Sequence, residues 1–326
     1  MSEGTMRRPK RQSAMRSARV STSERVRLLC CVAWSVTVMT FAAAADFEPY
    51  QLNGGLVAAV AGRDFVVLST DTRLMGPSGY DILERNHVKS RLWAATDARS
   101  TSLQLNLLNP DGSVRFEAPS TVETTNSGEL IVHASTKLVY APTFVGSSGC
   151  NADCEMLKRT VRADTRAAFY HGESDIQTAA VATLLGQMLY SRRGFPFYSF
   201  CVVGGMENGA GKVYVYDAIG SYEQVGVATS GTGRELLQPI LDRSFRSREV
   251  FRSTIESELP KQVMLPVAPR QVDCSKDEAI SKLVDGYRSV SERDIGVGDR
   301  VVFCCIQQLS DGTFQCEVSS TALKKH

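Results

Sequence analysis

Apolar positions in the first third of the chain form two short runs, rich in β-branched residues, that flank a turn-prone tripeptide. The runs are Leu56–Ala61 and residues 65–68, and Gly62-Arg63-Asp64 separates them. Continuous apolar runs of this length are typical of strands buried on both faces, and a short polar link between them favours a hairpin. The pattern therefore predicts a hairpin of two buried strands that begins after Gly54-Gly55.

Helical periodicity follows in the middle of the chain. Asn151 is a good N-cap, and the apolar residues that follow it can share one face of a helix. Ser174 or Asp175 can cap a second helix, which carries a wide apolar stripe and ends before Gly194 and Pro196. The pattern therefore predicts two neighbouring antiparallel helices.

The last part of the chain combines helix and strand signals. A short helix is predicted over 231–242, and Ser275 forms with Glu278 a capping box that begins a longer helix. Strands are predicted at 137–146, 198–204, 212–217, 222–227, 300–307 and 313–319. Because every apolar stripe must be covered, we predict an α+β fold with two stacked sheets and helices outside both faces.

Two segments interrupt these patterns, and we interpret both as exposed insertions. Residues 93–135 contain Asn109-Pro110-Asp111-Gly112 and many Ser and Thr residues, which favours a surface excursion with a hairpin near Asp111-Gly112. Residues 243–272 mix charged residues with prolines. We predict one domain over 47–326 that carries both insertions.

The first 46 residues differ in character from the rest. Residues 1–27 are rich in Arg, Ser and Thr, a composition that cannot bury a core and that predicts disorder. Residues 28–45 form an almost uncharged apolar run that ends in four alanines. On its own this run is typical of a signal peptide; a mitochondrial presequence, a cleaved propeptide and a start of translation at Met39 are the alternatives.

Composition argues against several classes of site. The formal net charge is only +2, so no nucleic-acid-binding surface covers the chain as a whole. The nine cysteines are irregularly spaced, unlike a secreted disulfide framework, and Cys150 and Cys154 lack a second pair at zinc-finger spacing. His87 has no serine or cysteine motif beside it, and no P-loop or Gly-x-Ser-x-Gly elbow occurs. We therefore expect reduced thiols, no metal and no cofactor.

Several motifs together resemble the proteasome β-type subunits. Asn53-Gly54-Gly55 and Ser69-Thr70-Asp71-Thr72-Arg73 bracket the predicted hairpin in the manner of that family. Later motifs that agree are Leu189-Tyr190-Ser191-Arg192-Arg193-Gly194-Phe195-Pro196-Phe197-Tyr198, Gly204-Gly205, Leu236-Leu237-Gln238-Pro239-Ile240-Leu241-Asp242 and Ser291-Glu292-Arg293-Asp294. The Asn-Gly-Gly before the first strand resembles most closely the sixth β-type subunit of the eukaryotic 20S core. The resemblance extends from about residue 47 to about residue 319.

The resemblance implies the four-layer αββα sandwich of the N-terminal nucleophile hydrolases. It also implies a place in the stacked rings of the 20S core, with other α and β subunits as partners and substrate polypeptides in the chamber. The implied location is the cytoplasm and nucleus, without nucleic-acid or membrane partners. Because leaders of varied sequence are common in the family, we favour a propeptide or an internal start over a secretion signal for residues 1–46.

Catalytic members of the family use the hydroxyl of a threonine that autolysis places first in the mature chain, with its own α-amino group as base. Counting back from Asp71 without a gap places Gly55 at that position, followed by Leu56. No Ser, Thr or Cys occurs from 41 to 68, so a shifted register supplies no nucleophile. We predict a non-catalytic subunit for ubiquitin-dependent protein degradation, in which autolysis at Gly55 fails.

The resemblance also implies a remnant of the catalytic constellation. Asp71 and Lys89 match the family's aspartate and lysine, and we expect them to form a buried ion pair. Ser230 and Asp294 match later positions and are expected to be hydrogen-bonding partners. Val297 stands where catalytic members have a serine.

Two alternatives remain open at this stage. One is an active amidohydrolase or threonine protease of the same fold that uses a different nucleophile. The other is a secreted binding protein on the same scaffold, which the apolar run 28–45 suggests.

Overall fold

A computed structural model describes residues 50–96, 107–117, 129–170, 176–245 and 270–323. The predicted leader, including its apolar run 28–45, lies outside these ranges, as do most of the second insertion and parts of the first.

The described residues form thirteen strands and four helices. The strands are β1 (Leu56–Ala61), β2 (Phe65–Asp71), β3 (Leu74–Met75), β4 (Ile82–Glu84), β5 (Leu92–Ala94), β6 (Ile131–Leu138), β7 (Phe144–Gly149), β8 (Ser199–Glu207), β9 (Ala210–Tyr216), β10 (Tyr222–Val225), β11 (Val227–Gly231), β12 (Arg300–Gln308) and β13 (Phe314–Ala322). The helices are α1 (Asn151–Tyr170), α2 (Thr178–Ser191), α3 (Arg234–Phe245) and α4 (Lys276–Ser291). Within these ranges, no helix combines the length and the apolar character needed to cross a membrane.

The predicted hairpin is confirmed as β1 and β2. Both strands are buried along their whole length, and they pair in antiparallel register from Val57 opposite Thr70 to Ala61 opposite Val66. Alternate side chains of β1 enter two different cores, which explains why the run is apolar at every position.

The strands form two large antiparallel sheets. One sheet has the order β11-β1-β2-β12-β13-β6, and the other has the order β10-β9-β8-β7-β5. The predicted single strand over 137–146 is wrong, because the chain leaves the first sheet after Leu138 and joins the second at Phe144. Pro142 lies between them and has no N–H for a ladder. The strand predicted over 222–227 likewise divides at Gly226 into β10 and β11 of different sheets.

Three apolar clusters show the order of the layers. One lies between the sheets and joins Val57 of β1 to Val202 of β8. A second joins the other face of β1 to Leu237 of α3 and Leu283 of α4. A third joins the five-stranded sheet to Leu157 of α1 and to α2. Two facing sheets therefore lie between two helix pairs, and the α+β class is confirmed.

The helix signals were only partly correct. Ser275 accepts a hydrogen bond from the Glu278 backbone N–H, which confirms the predicted N-terminal cap of α4. The second helix begins later than predicted, at Thr178 with Gln177 as its N-cap, so a cap at Ser174 or Asp175 is wrong; both residues lie outside the described ranges.

The first insertion is less peripheral than the sequence predicts. Trp93 is fully buried within β5, so residues 93–95 belong to the core rather than to an excursion. Leu107 and Val114, from its central part, are also buried between the sheets. The hairpin near Asp111-Gly112 is confirmed by a β-bridge between Leu108 and Val114.

A buried lysine of α1 forms an ion pair with this hairpin. Lys158 Nζ donates to Asp111 Oδ2 at 3.0 Å, to Glu155 Oε1 at 2.9 Å and to the Lys89 carbonyl at 3.2 Å, and its side chain has no exposed surface. Because a buried cation is costly unless it is paired, these acceptors keep the lysine in place.

Lys158→Met is expected to lower the free energy of unfolding of the full-length chain by about 2 kcal/mol, because the partly exposed partners limit the loss. The control is Arg159→Met, whose 3.8 Å ion pair with the same Glu155 is largely exposed and should contribute less than about 0.5 kcal/mol. Urea unfolding of both variants makes the comparison, and equal effects would contradict the assignment.

Candidate functional site around Gly55

The site lies at the beginning of β1, where the backbone adopts two successive left-handed conformations. Gly54 has φ +66° and Gly55 has φ +95°, and both residues are buried. Side chains other than glycine are strained in this region of φ. The next residue, Leu56, donates its backbone N–H to Asp71 Oδ1 at 2.8 Å.

Asp71 ends β2 and is completely buried beside this backbone. Its Oδ2 accepts from the backbone N–H groups of Gly298 at 3.3 Å and Arg73 at 3.4 Å. Burial raises the pKa of Asp71 to about 6, although Arg91 and the three N–H donors favour the carboxylate. The carboxyl group is therefore held by backbone donors from three segments of the chain.

The cation of this site is Arg91, which sequence reasoning missed. It is 2% exposed, and its guanidinium donates to the carbonyls of Gly54, of Asn53 at 2.9 Å and of Arg73 at 3.2 Å. A Cβ built on Gly55 would coincide with this guanidinium. The group therefore occupies the space into which any side chain at position 55 would project.

The expected buried ion pair between Asp71 and Lys89 is wrong. Lys89 is exposed, and only its carbonyl contributes, as an acceptor for Lys158. Arg91 directly precedes the apolar run of β5, and Lys89 lies two residues earlier in the same turn. Because both residues lie outside the strand, their positions in the sequence do not show which of them faces Asp71.

Ser230 lies in β11 opposite Val57 of β1, close to the site in the sheet. Its hydroxyl donates to the Phe200 carbonyl at 3.1 Å and lies 3.0 Å from the Ser148 hydroxyl, so it ties the two sheets together. Ser230, one of the residues predicted to remain from the catalytic constellation, therefore lies beside β1, and its hydrogen bonds go to groups other than the Asp71 carboxylate.

Asp294 is half-buried and accepts the backbone N–H of Gly296 at 2.8 Å within its own loop. The same loop reaches Asp71 through the N–H of Gly298, not through the Asp294 side chain. Val297 is fully buried in the cluster beneath α4.

Tyr287 is a further contributor to the site. Its hydroxyl, from α4, lies 3.2 Å from the Leu56 carbonyl and 3.1 Å from the Ser69 carbonyl. Burial raises the pKa of this phenol well above its usual range, so it stays neutral. The hydroxyl joins the beginning of β1 to β2 from the helix side.

Residues 50–54, which we call the amino-terminal strap, are built into the fold. Asn53 Nδ2 donates to the Met75 carbonyl at 3.0 Å, and Asn53 Oδ1 accepts from the backbone N–H of Asn151 at 2.8 Å. The Tyr50 hydroxyl donates to the Pro196 carbonyl at 2.6 Å, and its ring stacks on Phe195 with centroids 5.5 Å apart. The strap thus links β1 to the first residue of α1 and to the loop after α2.

A histidine network supports the turn that carries Arg91. His87 Nδ1 lies 3.1 Å from Glu84 Oε2, and its Nε2 lies 2.8 Å from Ser90 Oγ and 3.1 Å from Asn151 Oδ1. This order of groups is that of a serine–histidine–carboxylate triad, here built from residues three positions apart along the chain. Ser90 is 2% exposed and also donates to Asn151, so no substrate carbonyl can reach its hydroxyl.

The sequence is similar to one family of known proteins. A family model described as proteasome subunit matches residues 123–257. A proteasome subunit beta type-1 of Petunia hybrida is 31% identical over 258 residues, which cover 79% of this chain and 89% of the relative. The chain belongs to the proteasome β-subunit family. The proteasome subunit beta type-1 of Arabidopsis thaliana is 30% identical, again over 79% of this chain and 89% of the relative. A probable beta type-6 subunit of Encephalitozoon cuniculi is 34% identical over 139 residues, which cover 43% of this chain and 42% of the relative.

In this member of the proteasome β-subunit family, the described residues around Gly55 offer a carboxyl group, a guanidinium and backbone donors. A glycine supplies neither the nucleophile nor the proton that acyl transfer requires. Within the described ranges, no group of three or more His, Cys, Asp or Glu side chains is placed so that it could hold a metal ion.

The raised pKa of Asp71 predicts a pH dependence of stability. The folded chain protonates Asp71 at about pH 6 and the unfolded chain at about pH 3.8, so the folded state binds more protons between these values. The free energy of unfolding should therefore decrease as the pH rises through this window, by about 3 kcal/mol in total from this group. Asp71→Asn removes this titration. The free energy of unfolding of the wild type minus that of the variant should therefore be larger at pH 4 than at pH 7. Parallel unfolding profiles of the two proteins would contradict the prediction.

Proposed function

We propose that this chain is a non-catalytic β subunit of the 20S proteasome core. It contributes to the β ring and to the wall of the chamber in which ubiquitin-dependent protein degradation is completed. Its partners are the other α and β subunits of a stacked four-ring assembly and the substrate polypeptides inside it. The cytoplasm and nucleus are the corresponding compartments.

The proposal is carried by the Arg91 guanidinium, which fills the space beside Gly55, the residue that the sequence places at the predicted nucleophile position. A β subunit can lose activity by losing its attacking atom alone. Here the backbone is also left-handed at that residue, and the position is occupied by a cation. The left-handed backbone and the cation both oppose a threonine at position 55 and the autolysis that depends on it.

The strap supports the same proposal. Autolysis before Gly55 would break the chain directly after the Gly54 carbonyl that Arg91 binds. Residues 50–54 also make hydrogen bonds to β3, α1 and the loop after α2. We therefore expect the mature chain to retain them, whatever removes the leader.

Placement at the sixth β position rests on Asn53-Gly54-Gly55 before β1 and on the relative named beta type-6. The other two relatives carry the name beta type-1. Crosslinking mass spectrometry of the assembled core would identify its two ring neighbours and test the position.

The activity test uses core particles purified through a carboxyl-terminal tag on this chain. We expect native mass spectrometry to find the chain at two copies in each particle. A threonine-directed covalent inhibitor should label catalytic subunits in the same sample, which serve as the positive control, and leave this chain unmodified. An adduct on this chain that a single side-chain substitution abolishes would overturn the non-catalytic assignment.

The amino terminus provides an independent measurement. Sequencing of the chain from purified particles should give a first residue at or before Tyr50, and a terminus at Gly55 would refute the retained strap. Recovery of the chain from culture medium rather than from particles would favour the secreted alternative.

A further inference from the structure

An open cleft lies along one side of α2. It encloses about 390 Å³ between α2 and the turn from β9 to β10. Gln187 and Tyr190 line one side, and Ile219 and Tyr222 line the other. It shares no lining residue with the site around Gly55.

Two glycines bring the walls of the cleft together. Gly220 has φ +89°, and a Cβ there would collide with the Gly186 carbonyl of α2 and approach the Leu189 Cβ at 3.0 Å. A Cβ on Gly186 would lie 2.9 Å from the Tyr222 ring. The turn is therefore closely packed against the helix, and the cleft has a defined shape.

The lining is apolar and accessible. Tyr190 is 56% exposed, Ile219 is 45% exposed and Tyr222 is 40% exposed. The Tyr222 ring stacks on Tyr216, with centroids 5.1 Å apart, which holds it in position beside α2. Large apolar side chains grouped at a concave surface are typical of an interaction site.

The rim next to Tyr190 is positively charged. Arg192 and Arg193 follow the last residue of α2 and are exposed, and the Arg193 guanidinium lies 4.6 Å from the centroid of the Tyr190 ring. No carboxylate of the described residues forms an ion pair with either arginine within 4 Å.

The two acidic residues that flank the turn from β9 to β10 do not neutralise this rim. Asp217 Oδ1 accepts the N–H groups of Ile219 and Ser221, within the turn itself. Glu223 follows Tyr222 in β10 and therefore projects from the opposite face of the strand. The two guanidinium groups thus remain available to a partner.

We infer that this cleft receives a segment of a neighbouring subunit that presents an aliphatic or aromatic side chain followed closely by a carboxylate. The apolar side chain would enter between Tyr190 and Ile219, and the carboxylate would bind Arg193. Arginine suits this role because its planar fork can bind a carboxylate through two hydrogen bonds. The inference rests on the proposed place in the ring assembly and names one of its contacts.

The test places a photoreactive benzoylphenylalanine at Gln187 in the complete core particle. We expect a crosslink to another subunit, at a peptide in which Asp or Glu lies within a few residues of a large apolar side chain. Arg193→Glu should reduce the crosslinked yield about tenfold, because it replaces an attractive charge pair by a repulsive one. Arg234→Glu is the control, because it reverses the charge of an exposed arginine on α3, in the opposite helix layer. It should leave the crosslinked yield unchanged.

Several results would overturn the inference while the chain is present in particles. They are a probe that reacts only with solvent or with this chain itself, a partner peptide without a carboxylate, and a yield that Arg193→Glu does not change. Absence of the chain from all particles would instead refute the proposed function, and the docking inference with it.

Discussion

Gly55→Ala is expected to be among the most destabilising single-methyl additions in this chain, lowering the free energy of unfolding by about 2–5 kcal/mol. A left-handed conformation costs a residue with a Cβ about 1–2 kcal/mol. Displacing the buried Arg91 guanidinium adds about 1–3 kcal/mol of overpacking. Urea unfolding of the full-length chain measures the sum.

The matched control is Gly194→Ala, where a Cβ meets no atom within 4 Å, and the expected change is within about 0.5 kcal/mol. Arg91→Lys provides a second comparison, because the shorter cationic head leaves more room for the new methyl group. The loss caused by Gly55→Ala should therefore be smaller in the Arg91→Lys background. Equal losses in both backgrounds would show that Arg91 does not fill this space.

Arg91→Met should lower the free energy of unfolding by about 3–5 kcal/mol, since it removes a buried cation from three carbonyl acceptors. It should also change the pH dependence. Arg91 favours the Asp71 carboxylate, so without it the pKa of Asp71 rises above about 6 and the loss of stability continues to higher pH.

Arg85→Met is the control for this prediction. Arg85 pairs with Asp299 but is half exposed, and Asp299 keeps its second partner, Arg73, so the expected loss is below about 1 kcal/mol. A small effect of Arg91→Met with an unchanged pH profile would mean that the carbonyls find other donors.

The hairpin of β1 and β2 was predictable because both of its faces are buried and every position must be apolar. The two breaks at which a predicted strand divides between the sheets were harder to place. Composition indicates a strand but does not say to which sheet it belongs, so the changes of sheet at Pro142 and Gly226 were missed. The pairing of β6 with β13 joins residues more than 170 positions apart, and no local pattern reports it.

At the site, sequence reasoning found Asp71 and Gly55 because both lie in a hairpin whose register has no gap. It failed at Lys89 because the intervening turn, with β3 and β4, has no fixed length from which to count. Only the folded backbone shows that Arg91 is directed toward Gly55. The roles of Tyr287 and Asn53 were equally inaccessible, since each acts on backbone groups far away in the sequence.

The Asn53 side chain binds the first backbone N–H of α1, across 98 positions of the chain. A helix terminus leaves such donors without partners of its own, so this amide completes the helix from a distant segment. Cleavage directly before Gly55 would remove Asn53 and leave the first backbone N–H of α1 without this acceptor, so helix capping at a distant site depends on the residues that precede β1.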